Sequence, residues 1–194
     1  MNSPRLLIIT GSSGVGKSTL TAKISTALGF GKIAATDTVR EVLRTQFDSI
    51  EKPALHRSSF ESAGGTAVAD WEETVEVLSE GVRAVIERAQ EKRGDLLLEG
   101  VHYSPGSGCV DSWKNSGGRA CGVVLHVSDE ERHKEMICKR EKHNGRKLDH
   151  YLGNFDRIRE IQEEMVDTGS QSGWLLIDPT KESDVIAIIS DLLN

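Results

Sequence analysis

Residues 11–18, Gly11-Ser12-Ser13-Gly14-Val15-Gly16-Lys17-Ser18, match the pattern GxxxxGK[ST], and Thr19 follows. In chemical terms this is a device for gripping a polyanion. Glycines at 11, 14 and 16 let the chain curl tightly, so that backbone N–H groups converge. A helix starting near Lys17 adds the positive end of its dipole. Lys17 then reaches the outer phosphates of a nucleoside triphosphate, and the Ser18 hydroxyl offers a ligand to Mg2+. Residues Gly11 to Thr19 are the expected nucleotide site, with ATP and Mg2+ the expected cofactors. Transfer of the terminal phosphoryl group needs four more parts. These are a group that orients or deprotonates the acceptor hydroxyl, cations for an anionic acceptor, a second carboxylate for the metal, and mobile arginines over the migrating group.

Candidates for each part follow along the chain. Asp37 comes directly after a short apolar run, Lys32–Thr36. Ligands of open α/β sheets lie outside the carboxyl ends of the strands, so Asp37 falls on the same rim as the glycine loop. It is expected to orient the acceptor hydroxyl and take its proton; a helix N-cap role is compatible. Arg40 lies one helical turn on and could clamp a carboxylate or phosphate, or pair with Asp37 along the helix. Arg44 is one turn further. Glu99 closes the run Leu96-Leu97-Leu98. A carboxylate there needs a cation, either Mg2+ through water or a buried arginine. His102 shares that strand end, and His56, Arg57, Ser58 and Ser59 fall in a loop. Each of these five is an acceptor contact or a solvated, hydrogen-bonded residue. Arg132, Lys139, Arg140, Arg146 and Lys147 cluster around Gly145. They suggest a mobile lid at 129–150 whose Arg140 and Arg146 close over the phosphoryl group, the alternative being solvated helix faces. Histidines 126, 133, 143 and 150 have no metal-ligand spacing, so Zn2+ is not expected. Trp71, Trp113 and Trp174 read as core.

Short apolar runs alternate with longer amphipathic stretches. Arg5–Thr10, Lys32–Thr36, Asp95–Tyr103, Gly122–Ser128 and Trp174–Ile177 read as strands. Lys17–Leu28, Thr38–Gln46, Thr66–Arg93, 129–143, Tyr151–Asp167 and Lys181–Leu193 read as helices. In the longest helix Val68, Trp71, Val75, Leu78, Val82, Val85 and Ile86 recur at three and four, which marks one buried face. Residues 48–65 and Pro105–Arg119 look like loops, the latter a surface excursion. Strands that are apolar throughout and alternate with helices predict a five-stranded parallel sheet in a three-layer α/β/α sandwich, P-loop kinase-like. No linker divides the chain, so 1–194 is expected to be one domain.

Composition sets the outer limits. The chain has 194 residues, 37% of them apolar, with 19 glycines besides. A chain of that size buries roughly 70% of its unfolded surface and needs no metal or disulfide to fold. Twenty-four basic against thirty acidic residues give a net charge of −6. That disfavours nucleic acid and anionic membranes as partners and suits a small anionic acceptor held by locally concentrated cations. Cys109, Cys121 and Cys138 lack CxxC spacing and read as reduced thiols of a cytoplasmic protein. Neither a secretory signal nor a membrane-length apolar run is expected. The absence of an NKxD motif disfavours a GTP-driven switch.

The segments GSSGVGKST, ATDTVREVLR, HRSSF, LLLEGVHYSPG and YLGNFDRIREIQEEMV together resemble the kinase portion of archaeal-type 2-phosphoglycerate kinases, from about Leu6 to about Asp167. Wider relatives are small-molecule kinases like zeta toxins and chloramphenicol phosphotransferase. The resemblance implies ATP- and Mg2+-dependent phosphorylation of the 3-hydroxyl of 2-phosphoglycerate to give 2,3-bisphosphoglycerate. It carries roles onto Lys17, Ser18, Asp37, Arg40, Glu99 and Arg140, and singles out Ser58, Ser59, His102 and Asn154. Members of that family often carry an extra N-terminal region. The competing expectations are a P-loop kinase for another small acceptor (nucleotide, sugar acid or antibiotic) and a nucleotide-sensing module without catalysis.

Overall fold

The apolar runs become strands because both of their faces are covered. β1 (Arg5–Gly11), β2 (Ile33–Ala35), β3 (Leu96–Glu99), β4 (Arg119–Leu125) and β5 (Leu175–Ile177) form one sheet in the order β2-β3-β1-β4-β5, with every pair parallel. The computed structural model describes residues 3–143 and 145–193. Eight helices are found among them: α1 (Lys17–Leu28), α2 (Thr36–Arg44), α3 (Ala67–Glu91), α4 (Cys109–Asn115), α5 (Glu130–Glu141), α6 (Gly145–Gly153), α7 (Phe155–Gln171) and α8 (Val185–Leu193). Successive residues of a strand point to opposite faces. Leu6 and Ile8 therefore join the core under α3, α4 and α7, while Leu7 and Ile9 join the core under α1 and α8. This is the expected α/β/α sandwich.

β1 is the middle strand, between β3 and β4, so the glycine loop at its end occupies the centre of the carboxyl rim. α3 is capped by Thr66, whose hydroxyl accepts from the Ala69 N–H. The three tryptophans are buried as expected.

Several boundaries differ from the sequence expectation. β3 ends at Glu99 rather than Tyr103. Gly100 has φ +150°, and a Cβ there would overlap the Thr36 hydroxyl. Only glycine lets the chain turn away at that point, and the Thr10 hydroxyl then bonds the carbonyls of Gly100 (3.0 Å) and Tyr103 (2.8 Å). α2 starts at Thr36, with Ala35 in the cap position and no side-chain cap. Asp37 thus lies inside the first turn instead of capping it. The excursion 105–119 is no mere surface loop. It contains α4, whose Val110 and Trp113 are buried, and Trp113 donates to the Pro4 carbonyl at 3.0 Å. Glycine and serine around this single turn pair masked its short apolar face. α8 starts at Val185 rather than Lys181, because the Asp178 carboxylate holds the Thr180 N–H and hydroxyl in a turn.

Candidate active site

β1 delivers the chain into the loop, where Gly11, Gly14 and Gly16 all have positive φ. At Gly14 the requirement is also steric, since a Cβ would overlap Ile137 of α5. Gly16 caps α1 without a side-chain bond, which leaves the first N–H groups of the helix to an anion. The Lys17 ammonium donates to the Ser12 carbonyl at 2.8 Å. Its burial lowers the pKa to about 8, although the Glu99 and Asp37 carboxylates raise it and Arg140 lowers it further. A cavity of about 400 Å³ opens over the loop, lined by Gly14, Gly16, Lys17, Ser18 and Thr19 and, from α5, by Met136, Lys139 and Arg140. It shares Gly16, Thr19 and Met136 with a second cavity of about 350 Å³ that extends to Leu20, Lys23, Pro179, Ser183 and Ile186. Sequence reasoning missed this extension. The rule that ligands sit beyond strand ends, applied to β5, would have pointed to it.

Glu99 stands at the carboxyl end of β3, in register with Ile9. The Ser18 hydroxyl donates to its Oε1 at 3.5 Å. Partial burial raises the Glu99 pKa; Lys17 opposes the rise and Asp37 adds to it. A carboxylate that its surroundings disfavour as an anion, next to a hydroxyl, suits a divalent cation. Among the described residues no group of three His, Cys, Asp or Glu side chains could hold a metal. Mg2+ commonly keeps several waters and binds one or two protein oxygens together with phosphate, so a hydroxyl and a carboxylate are a donor set of the right kind for it.

A smaller cavity of about 210 Å³ borders the loop at Ser13. α2 supplies Asp37, Arg40 and Glu41; the 58–60 loop supplies Ser58, Ser59 and Phe60; the turn after β3 supplies Val101 and His102; α6 supplies Tyr151. Asp37 is 69% exposed, and its Oδ1 lies 3.7 Å from His102 Nδ1 and 3.9 Å from the Arg40 guanidinium. Arg40 also reaches the Arg57 carbonyl at 3.4 Å. His102 is almost wholly buried, with Nδ1 3.2 Å from the Thr36 hydroxyl. Burial pushes its pKa down to about 4; Asp37 opposes this, and Arg40 and Lys17 add to it. The ring is therefore neutral at pH 7. Arg40 Nε, His102 Nε2 and the Ser12 hydroxyl are buried without a hydrogen-bond partner among the described residues. Buried donors in that state cost free energy until something pairs with them.

Not every expected residue joins these cavities. His56 Nε2 is 2.9 Å from the Phe47 carbonyl, and His56 does not line the smaller cavity. The Arg57 guanidinium is turned to α3, donating to the Asp70 carbonyl at 2.7 Å and the Glu73 carboxylate at 2.6 Å. Arg44 pairs with Glu41. Arg140 reaches the loop cavity, donates to Glu141 at 2.8 Å and lies 4.6 Å over the Tyr151 ring. Arg146 is exposed on the first turn of α6 and lines neither cavity. Asn154 donates to the His150 carbonyl at 2.8 Å and so shapes the α6–α7 corner. The expected lid is uneven: α5 buries His133 and Ile137, whereas α6 buries none of its described residues.

No family model matches the chain. Curated proteins named 2-phosphoglycerate kinase match nearly all of it. The one from Methanococcus maripaludis strain C6 is 28% identical over 194 residues, covering 93% of this chain and 61% of that protein. The one from Pyrococcus horikoshii is 28% identical over 203 residues, covering 100% of this chain and 66% of that protein. The chain thus spans about three fifths of the length of the first of these relatives. Among solved structures, a gluconokinase from Sinorhizobium meliloti superposes with a TM-score of 0.51 at 16% identity, covering 100% of this chain and 91% of that one. That likeness speaks to the fold alone, which is the P-loop kinase sandwich.

Proposed function

We propose that this chain is an ATP-dependent kinase that phosphorylates 2-phosphoglycerate at its free hydroxyl to give 2,3-bisphosphoglycerate. One observation carries the reading: a small cavity holding Asp37, Arg40 and His102 borders the phosphate loop at Ser13, next to Gly14 of the loop's own cavity. A donor phosphate held by the loop and an acceptor hydroxyl beside Asp37 would thus be neighbours, as in-line transfer requires. The acceptor cavity, at about 210 Å³, lies below the roughly 300–1,000 Å³ of pockets for drug-sized ligands. Its size favours a three-carbon acid over a nucleotide or an antibiotic. The partly buried Arg40, with its Nε unpartnered, favours an anion. The curated relatives named 2-phosphoglycerate kinase support the same acceptor.

In this mechanism the residues of the chain align and neutralise more than they form bonds. The loop N–H groups and Lys17 hold the triphosphate of ATP. Ser18 and Glu99 would hold Mg2+, which supplies charge neutralisation on the phosphates when bound. Asp37 orients the acceptor hydroxyl and takes its proton. Arg40 holds an anionic group of the acceptor, with Ser58, Ser59 and His102 around it. Arg140 neutralises the migrating phosphoryl group. In the lid α6 moves and brings Arg146 inward, while α5 stays anchored by its buried His133 and Ile137. We assign the protein to the cytoplasm on its free thiols; no described helix is long and apolar enough to cross a membrane.

The test is acceptor-dependent ADP release by the purified chain with MgATP. Release with 2-phosphoglycerate, above that with nucleoside monophosphates, sugar acids or chloramphenicol, supports the reading. A preference for another acceptor overturns the substrate. ATP binding without ADP release for any acceptor favours the nucleotide-sensing alternative.

A further inference from the structure

We propose that His133 is a positioning residue that aims the backbone of the phosphate loop at the nucleotide. This rests on the reading that the loop holds ATP. His133 lies on α5 and is completely buried. Its Nε2 is 2.8 Å from the carbonyl oxygen of Ser13, 120 residues away in the chain. A carbonyl only accepts, so Nε2 carries the hydrogen and donates it. The other nitrogen, Nδ1, is buried with no partner among the described residues. The ring is wedged in place: Phe155 meets it edge-on at 5.3 Å, and a Cβ on Gly14 would come within 3.2 Å of Nε2.

The consequence follows from peptide geometry. The Ser13 carbonyl and the Gly14 N–H belong to one planar trans peptide and point in opposite directions. Tying down the carbonyl fixes the direction of the N–H, and Gly14 lines the loop cavity. Lys17 ties the neighbouring Ser12 carbonyl in the same way, but its ammonium is the group the phosphates require. The imidazole is not: burial holds its pKa down to about 4, so it is a neutral donor. It can keep its bond while nucleotide comes and goes. The same helix carries Met136, Lys139 and Arg140 over the loop cavity, so one hydrogen bond also sets how these side chains sit against the loop. For folding the imidazole is about neutral, since its bond satisfies the Ser13 carbonyl while its Nδ1 stays buried without a partner. A leucine would fill the space without burying the unpartnered Nδ1.

The experiment compares His133→Leu, which deletes the donor, with His133→Gln, which places an amide N–H at similar reach. Affinity for MgATP is measured by calorimetry beside thermal unfolding. The expected result for His133→Leu is an unchanged or higher Tm with ATP binding weakened about tenfold, and for His133→Gln binding within about threefold of the parent. Parent-like ATP binding by His133→Leu would overturn the proposal. So would an affinity loss in both variants that merely tracks a falling Tm. In the unliganded parent, long-range 15N spectra should show His133 as the Nε2–H tautomer; the Nδ1–H form is equally fatal. If the parent itself binds no ATP, the nucleotide reading fails instead, and the tautomer still reports on the contact.

Discussion

The two cavities beside the loop are built by opposite means. The one over the loop draws most of its lining from one short segment, Gly14 and Gly16 to Thr19, where the free backbone N–H groups at the start of α1 stand beside Lys17 and Ser18 and, from α5, Lys139 and Arg140. The other is assembled from α2, the 58–60 loop, the turn after β3 and α6, and its donors are side chains. Its shape is held from outside. Arg157 of α7 donates to the Phe60 carbonyl at 2.8 Å and to the buried Asp70 carboxylate at 2.6 Å. Asp70 in turn accepts from the N–H groups of Ala63 and Gly65. Arg57, expected at the acceptor, belongs to this bracing through its bond to the Asp70 carbonyl. The contrast teaches where tolerance lies. A backbone grip serves any nucleoside triphosphate, while a dispersed side-chain pocket selects one acceptor and depends on remote residues to keep its form.

The largest effect should break the loop side. Lys17→Ala removes the only loop cation, and turnover in the coupled ADP assay should fall by about 10³-fold or more. Turnover that persists would take the loop out of the mechanism. Next comes a change confined to the other cavity. Asp37→Asn should lower kcat by about 10²- to 10⁴-fold while ATP affinity, read by calorimetry, stays near that of the parent; loss of ATP affinity alone would erase the division of labour. Arg40→Met should raise the acceptor KM by about 10- to 100-fold, the worth of a charged hydrogen bond, and leave the ATP KM unchanged.

A titration tests the same contrast without mutation. The Lys17 ammonium is charged below its lowered pKa of about 8 and loses its proton above it. A bound polyanion favours the charged form, so affinity falls as pH rises through that value. The ATP Kd should grow about tenfold from pH 7 to pH 9, while the acceptor KM, set by Arg40 and a neutral His102, stays level. The smallest effect is expected for Arg57→Lys: a lower Tm by differential scanning fluorimetry and an acceptor KM within about threefold. A large KM change would return Arg57 to the acceptor's contacts.

Particular residues mark what could be read in advance. Leu6–Ile9 and Leu96–Leu98 announced buried parallel strands because both their faces are apolar, and the octapeptide 11–18 announced its conformation through its glycines. Asp37, Arg40, Glu99 and His102 were legible by their place after strands. α4 was not, since its two buried side chains, Val110 and Trp113, stand among polar ones. His56 and Arg57 sat beside Ser58 and Ser59 in the sequence, yet their side chains turn the other way.

The order of strands and helices and the phosphate loop were thus determined by the sequence itself, because periodicity and glycine geometry act over a few neighbouring residues. Which face of α5 meets Ser13, which arginine enters the smaller cavity and which braces it, and that the segment after β5 and the start of α8 extend the loop cavity were decided only by the tertiary structure. Those outcomes depend on packing between segments as much as 120 residues apart, where one hydrogen bond or one overlapping Cβ chooses among orientations that the local sequence leaves equal.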